Sequence, residues 1–351
     1  MNVKNLFLLL LLLAGFASCS SNGNDEIPET EKASLTLKLE TQGGYGTRAA
    51  DDAIAAWESE SKVNSYVILL FRSDSPTNPS VFSGKEATSQ IVNNLPAGVS
   101  IKAYAFVNLS DKLIANLKLV TKEENLKDFT EELAIQGTDK LTMASTVPAT
   151  ITLKTGNNYL DIDITRLVSR IQISSINTKF SIANDHSVRI DKLELANAKS
   201  SSLLYTNGAA EVKDAKWAPV FEMTNQLATT KNEVLSNKSP KVFNKKSDDA
   251  DGQKTVPYGY VFENTDEKAP TQLILTATLL DKDDKEVSTQ KFTVTVNSAG
   301  TSGVNPHKYV KRNYIYDLGL TFNDESFKMA ALVVKVTVVP WGKVHQVSEV
   351  D

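Results

Sequence analysis

The sequence predicts an all-β protein of two β-sandwich domains, the first carrying a short helical insertion. Three observations lead there. Apolar and polar residues alternate along many short stretches, the period of a strand with one buried face. Clusters of Asn, Asp, Gly, Ser and Pro separate these stretches at the spacing that sandwiches produce. The chain has 351 residues, 41% hydrophobic and 23% charged, which makes it globular and long enough for about two domains.

Taken in order, the elements begin with an apolar run from Leu6 to Ala17 behind Lys4. It is shorter than the ~20 residues of a membrane-spanning helix, and it ends in small residues, so it reads as a cleaved export signal. Cys19 is the only cysteine and can form no intramolecular disulfide. Its place after Ala17-Ser18 resembles the lipobox of bacterial lipoproteins, which implies lipidation at Cys19 and assigns residues 1–19 to signal and lipobox. Residues 20–33 are polar and acidic and form a flexible tether. The stretch Ser34-Leu-Thr-Leu-Lys-Leu-Glu40 then places Leu35, Leu37 and Leu39 on one face of a strand and Thr36, Lys38 and Glu40 on the other. A glycine-rich segment, Gln42 to Asp52, holds Arg48 followed by Ala49, a bond that a trypsin-like protease would find readily.

Further strands are expected at Val67 to Phe71, Ile101 to Val107, Ile151 to Lys154, Leu160 to Thr165, Arg170 to Ser174, Arg189 to Leu195, Leu273 to Leu280, Phe292 to Val296 and Tyr314 to Phe322. One stretch differs. Thr121-Lys-Glu-Glu124 has the form of a capping box, and Leu126, Phe129 and Leu133 follow at helical spacing, so a helix of two or three turns is expected there, with another from Ser110 through Leu117. The domains are placed at 49–162 and 163–328, the change falling near Thr155 to Arg166, with a last segment at 329–351.

The residues exclude several functions. His186, His307 and His345 are scattered with no partner at metal-ligand spacing. There is no nucleophile elbow, no phosphate-cradling glycine loop and no His-Glu-x-x-His, so neither an enzyme, a metal nor a cofactor is expected. Asp281 to Glu286 and Asp248 to Gly252 lack the ligand spacing of a calcium loop and read as a hairpin tip and a solvated loop. A net charge of -4 without a basic stripe argues against nucleic acid. Of Trp57, Trp217 and Trp341, the last reads as a packing plug at a strand end and Trp217 as the best exposed platform.

Near the C-terminus the first alternation returns: Leu332, Val334, Val336 and Val338 share one face, with Val333, Lys335, Thr337 and Val339 on the other. Two strands of one chain thus have nearly interchangeable burial patterns. Together with the lipobox and Thr47-Arg48-Ala49, and with Thr165 to Arg170, Tyr258 to Asn264, Lys311-Arg-Asn-Tyr314 and Val339-Pro-Trp341, the whole plan resembles the Bacteroidetes fimbrillins, lipoprotein precursors of type V pilus subunits. The resemblance implies two sandwiches of transthyretin-like topology and a precursor lipid-anchored at the outer membrane. It also implies cleavage after Arg48 by an arginine-specific protease and polymerisation with neighbouring copies and other fimbrial subunits at the cell surface, supporting adhesion.

On that plan residues 34–48 are a removable strand with its cleavage loop. Once the strand leaves, the groove filled by Leu35, Leu37 and Leu39 can take Leu332, Val334, Val336 and Val338 of a neighbour, a form of strand addition. Four such side chains bring a gross gain of about 6 to 12 kcal/mol before ordering costs. Donor and acceptor surfaces differ, so the contact repeats head to tail without closing. The long alternating tail suggests a stalk subunit. The alternatives are a tip or accessory adhesin, which should lack a free donor tail, and a surface glycan-binding lipoprotein with exposed aromatic platforms.

Overall fold

In the first half, β1 (Lys32–Thr41), β2 (Tyr66–Arg72), β3 (Ser75–Gly84), β4 (Ser89–Pro96) and β5 (Ser100–Val107) precede helix α1 (Asp111–Leu117). They are followed by β6 (Thr130–Glu132), β7 (Met143–Ala144), β8 (Ala149–Thr152) and β9 (Gly156–Arg166). The second half carries β10 (Val168–Lys179), β11 (Ser187–Ala196), β12 (Ser201–Leu203), β13 (Phe221–Glu222), β14 (Val234–Leu235) and β15 (Lys241–Val242). It is completed by β16 (Tyr258–Phe262), β17 (Gln272–Leu280), β18 (Glu286–Thr295), β19 (Tyr314–Asn323), helix α2 (Ser326–Met329) and β20 (Val333–Pro340). The protein is all-β. This computed structural model describes residues 31–41, 57–86, 88–181, 185–208, 216–224, 234–236, 241–242, 256–300 and 307–341. Cys19, Arg48, Ala49, His345, the tether through residue 30, the loop Asp248 to Gly252 and residues 342–351 lie outside them.

The first half is an eight-stranded sheet in the order β3-β2-β5-β7-β9-β1-β4, with β8 beside β5. It folds back on itself through β9, whose Gly156 to Ile164 lie beside β1 and whose Thr165 and Arg166 lie beside β7. Alternation then puts Leu35, Leu37 and Leu39 in one core with Tyr66, Ile68, Leu70, Ala103 and Ala105. In the second half, β15-β10-β19-β20 with β16 form one sheet and β13-β11-β17-β18 with β14 another. Ile171, Ile173, Leu193, Leu275, Phe292 and Leu318 fill the core they share.

A third core joins the halves. Val67, Leu69, Phe71, Tyr104 and Phe106, on the other face of β2 and β5, pack with Tyr258, Tyr260, Phe262, Ile315 and Trp341. From Lys32 onward the chain therefore clusters as a single compact unit. The passage from one half to the next falls at Leu167, between β9 and β10. Because β2 is covered on both faces, it is buried nearly throughout rather than half-buried.

Two local expectations are corrected. Helix α1 forms within the expected Ser110 to Leu117, but Thr121 to Leu133 holds only a 3-10 turn at Glu123–Asp128 and then β6. The capping box does not form: Lys122 occupies the cap, while Glu123 instead takes bonds from the Tyr104 hydroxyl and the Lys102 ammonium. Pairing with β12 then draws Thr130 to Glu132 into a strand, tertiary contact overriding local spacing. Strands β3 and β4 escape a reading by alternation. β3 contains Pro76 and Pro79, tolerated because it is an edge strand, and β4 contains Asn94 at a positive φ of 60°.

Candidate strand-exchange site

The residues that make β1 a strand also make it the middle of its part of the sheet. It lies parallel to β9, from Ala33 opposite Gly156 to Thr41 opposite Ile164, and antiparallel to β4, from Lys32 opposite Pro96 to Lys38 opposite Ser89. Leu35 and Leu37 are 0% exposed and Leu39 is 6% exposed. Their burial contributes a gross gain of about 5 to 9 kcal/mol. Polar groups fix the register at the start of the strand: Ser34 Oγ donates to Asn157 Oδ1 at 2.7 Å, and Asn158 Nδ2 donates to the Ser34 carbonyl at 3.2 Å. Farther along, the Leu39 amide donates to the Thr88 carbonyl at 2.8 Å. On the outward face Lys38 pairs with Glu40 at 3.0 Å, an exposed contact that raises the lysine pKa through the hydrogen bond and nearby charge. Without β1, the edges of both β4 and β9 would stand open.

β20 has a different position. Among the described residues it pairs antiparallel with β19 alone, from Tyr314 opposite Pro340 to Thr321 opposite Val333, and is an edge. Leu332, Val334 and Val336 are half-buried against the core of the second half, and Val338 is 3% exposed. Val333, on the opposite face, is 57% exposed. The four apolar side chains expected to enter a neighbour are thus seated on this chain's own core.

The strand ends in Trp341, which is fully buried and tied at the centre of the third core. Its amide donates to the Asn313 carbonyl at 3.0 Å and its indole N–H to Glu60 Oε2 at 3.1 Å. Tyr260 stacks on it with ring centroids 6.1 Å apart. Glu60 is completely buried and is the hub. Its carboxylate accepts from Arg170 Nη1 at 2.6 Å, the Tyr260 hydroxyl at 2.7 Å and the Trp57 amide at 2.9 Å. Arg166 Nε donates to the Glu60 carbonyl at 3.0 Å and its Nη2 to Ser61 Oγ at 2.6 Å. The Arg170 guanidinium sits 3.8 Å over the Trp57 ring. Burial lowers the Arg166 pKa to about 10 against the raising pull of Glu60, while burial and the Glu60 charge push Tyr260 well above the usual tyrosine range. A buried charge set of this kind holds its geometry only while every member is present.

The sequence-predicted residues therefore fall into two separate places, Leu35, Leu37 and Leu39 in the first core and Leu332, Val334, Val336 and Val338 in the second. The plug role expected of Trp341 matches its burial, and Trp217 is 39% exposed. The Asp281 to Glu286 stretch does turn a hairpin: Asp281 accepts from the Asp283 and Lys285 amides, which lower its pKa. Among the described residues no His, Cys, Asp or Glu group could hold a metal. Glu60, Arg166 and Arg170 are the additions that sequence reasoning missed. The signal was the pair of arginines in Thr165-Arg-Leu-Val-Ser-Arg170, charged residues set among apolar ones at the passage between the halves.

Comparison with known proteins covers both halves. Residues 167–343 match the family described as fimbrium tip subunit Fim1C-like, C-terminal domain, and residues 33–196 match the major fimbrial subunit protein (FimA) family. A Parabacteroides distasonis protein named provisionally as fimbrium tip subunit Fim1C is 25% identical over 350 residues, 93% of this chain and 88% of that protein. Among solved structures, a protein described provisionally as a cell adhesion protein, also from Parabacteroides distasonis, aligns with a TM-score of 0.67 at 22% identity. It covers 90% of this chain and 99% of its own. A fimbrilin of Porphyromonas gingivalis aligns with a TM-score of 0.57 at 15% identity, over 90% of this chain and 99% of its own. Both share the fold.

Proposed function

Since this chain belongs to the Bacteroidetes fimbrillin family, we propose that it takes the terminal place in a cell-surface fimbrium, accepting a strand from one neighbour and donating none. Membership makes it a fimbrial subunit that assembles with other fimbrial subunits. The finer course runs through lipidation at Cys19, export to the outer membrane and cleavage after Arg48 by an arginine-specific protease. β1 is then held only by its ladders and core contacts, and a neighbour's strand with large apolar residues at alternate positions replaces it.

The terminal place rests on one observation: Leu332 to Val338 are seated on the chain's own core and the strand ends in buried Trp341. A donor tail built from these residues would first have to leave β19, empty that contact and strip Glu60 of a partner. The stalk reading keeps one point in its favour, the long alternation of β20 and its open outer edge.

The test uses a Cys19→Ala precursor, cut with trypsin and sized. The cut chain alone should remain monomeric, and it should take up a synthetic peptide of Lys32 to Thr41 added in excess. Ladders or filaments from the cut chain alone would establish a stalk subunit instead. An Arg48→Ala precursor should neither lose β1 nor take up the peptide, and uptake by it would overturn the cleavage step.

A further inference from the structure

We propose that the cleft between the α1–β6 segment and the second half binds a neutral oligosaccharide, the adhesive contact of the terminal subunit; this rests on the terminal reading above. The cleft has a volume of about 1240 Å³ and is lined by α1, β6, the turn from Leu133 to Thr138, Lys216 to Thr224 and β16. That is more than the usual ~300 to 1,000 Å³ of a single small-molecule site, so it has room for an oligomer. Its walls are tied together from both sides: β6 pairs with β12, and Thr138 bonds Tyr258 on β16 at 2.9 Å.

The side chains sort by chemistry. Phe129 and Phe221 are half-buried and give the cleft aromatic surface. Around them stand exposed Asp128, Glu132 and Asn116, whose side chains bond to no group among the described residues. A sugar presents an apolar C–H face and a girdle of hydroxyls, each both donor and acceptor; aromatic surface suits the first, and carboxylate or amide oxygens suit the second. Charge selects among sugars. Lys112 and Lys216 line the same cleft as Asp128 and Glu132; of the other lining carboxylates, Glu131 is buried and accepts from the Ser110 amide, and Glu222 pairs with Lys192 at 3.4 Å, so neither an acidic nor a basic ligand finds a surface of one opposite sign, and a neutral chain fits best.

The experiment is saturation-transfer NMR and calorimetry on the trypsin-cut Cys19→Ala chain. The probes are lacto-N-tetraose, mannotriose and chitotriose, with 3′-sialyllactose and a lysine-rich peptide as charged controls. At least one neutral probe should bind, receiving saturation from aromatic protons. Phe221→Ala and, separately, the pair Asp128→Asn with Glu132→Gln should each weaken it about tenfold or more. Unchanged far-ultraviolet dichroism and melting in these variants distinguish loss of the site from loss of the fold. The proposal is overturned if no neutral probe binds, if a charged control binds in preference, or if binding survives the cleft variants. Uptake of the Lys32 to Thr41 peptide, measured on the same sample, separates the two readings. Uptake without sugar binding rejects the cleft alone; sugar binding with self-assembly rejects the terminal place and leaves the cleft standing.

Discussion

β1 and β20 share one alternation and meet opposite fates. β1 is central, with a ladder on each side and leucines at 0 to 6% exposure; β20 is an edge, and of Leu332 just before it and its inward Val334, Val336 and Val338 only the last is fully buried. Burial alone would name β20 as the strand that leaves. Connection reverses the choice. Trp341 fastens the end of β20 inside the third core, whereas a cut after Arg48 would leave β1 with no covalent link to the rest of the fold. On the proposed exchange, the strand that leaves is set by where the chain is fastened, as well as by how much apolar surface it covers.

The fastening is where the contrast breaks most easily. Glu60→Ala should lower stability by about 3 to 5 kcal/mol in urea unfolding, because it removes the carboxylate that pairs with Arg170 and offsets the buried charge of Arg166. Amide exchange along β20 should rise more than along β1, since the Trp341 indole loses its acceptor while the first core is untouched. An equal rise in both strands would deny Trp341 its fastening role.

Core truncation sharpens the contrast from the other side. Leu37→Ala should cost the uncut precursor about 2 to 5 kcal/mol, and Val336→Ala, at the half-buried edge, about 1 kcal/mol. After trypsin, Leu37→Ala in the chain should speed uptake of the unaltered peptide by weakening the resident strand, and in the peptide it should weaken uptake. Similar losses from the two substitutions would remove the asymmetry between slot and edge.

The smallest effect is one of pH. Tyr260 ionises near about 10 in the unfolded chain and well above that when folded, so the folded form keeps a proton the unfolded form has shed. Stability from this group is full below that pH and falls above it, by at most about 1.4 kcal/mol per pH unit. Arg166 works in the opposite sense, losing its proton from about 10 upward when folded and later when unfolded. Tyr104, buried and bonded to Glu123, shares the sign of Tyr260, so the net outcome is a decline. Tyr260→Phe should flatten or invert the slope between pH 10 and 11 in urea titrations, and an unchanged slope would remove Tyr260 as its source.

Much of the strand plan was legible because alternation records a buried face. It failed where a second face was covered. Arg170-Ile-Gln-Ile-Ser reads as one apolar and one solvated side, yet Arg170 and Gln172 are as buried as Ile171 and Ile173, because Trp57 and Glu60 of the first half pack on Arg170 and Asp317 of β19 accepts from the Gln172 side-chain amide. Glu60 was hidden for a related reason. Glu58-Ser-Glu-Ser looks like a solvated turn, and the groups that satisfy Glu60 come from Arg170, Tyr260 and Trp341, far along the chain. Spacing within a window cannot report a partner 281 residues away. The slot was legible from Leu35, Leu37 and Leu39; that it has two walls, one parallel and one antiparallel, was not, because pairing order is a property of the whole sheet.

Those two walls have a mechanical meaning. A strand gripped along both edges and pulled lengthwise must shear both ladders together, so load is shared among many hydrogen bonds instead of being taken by one after another. An edge strand such as β20, with one ladder, can be peeled. On the proposed terminal place, a tip hung from its neighbour by a strand in the β1 slot would be held by the stiffer of the two attachments. Tension directed along that strand would reach the peelable edge only if it entered the subunit from the side.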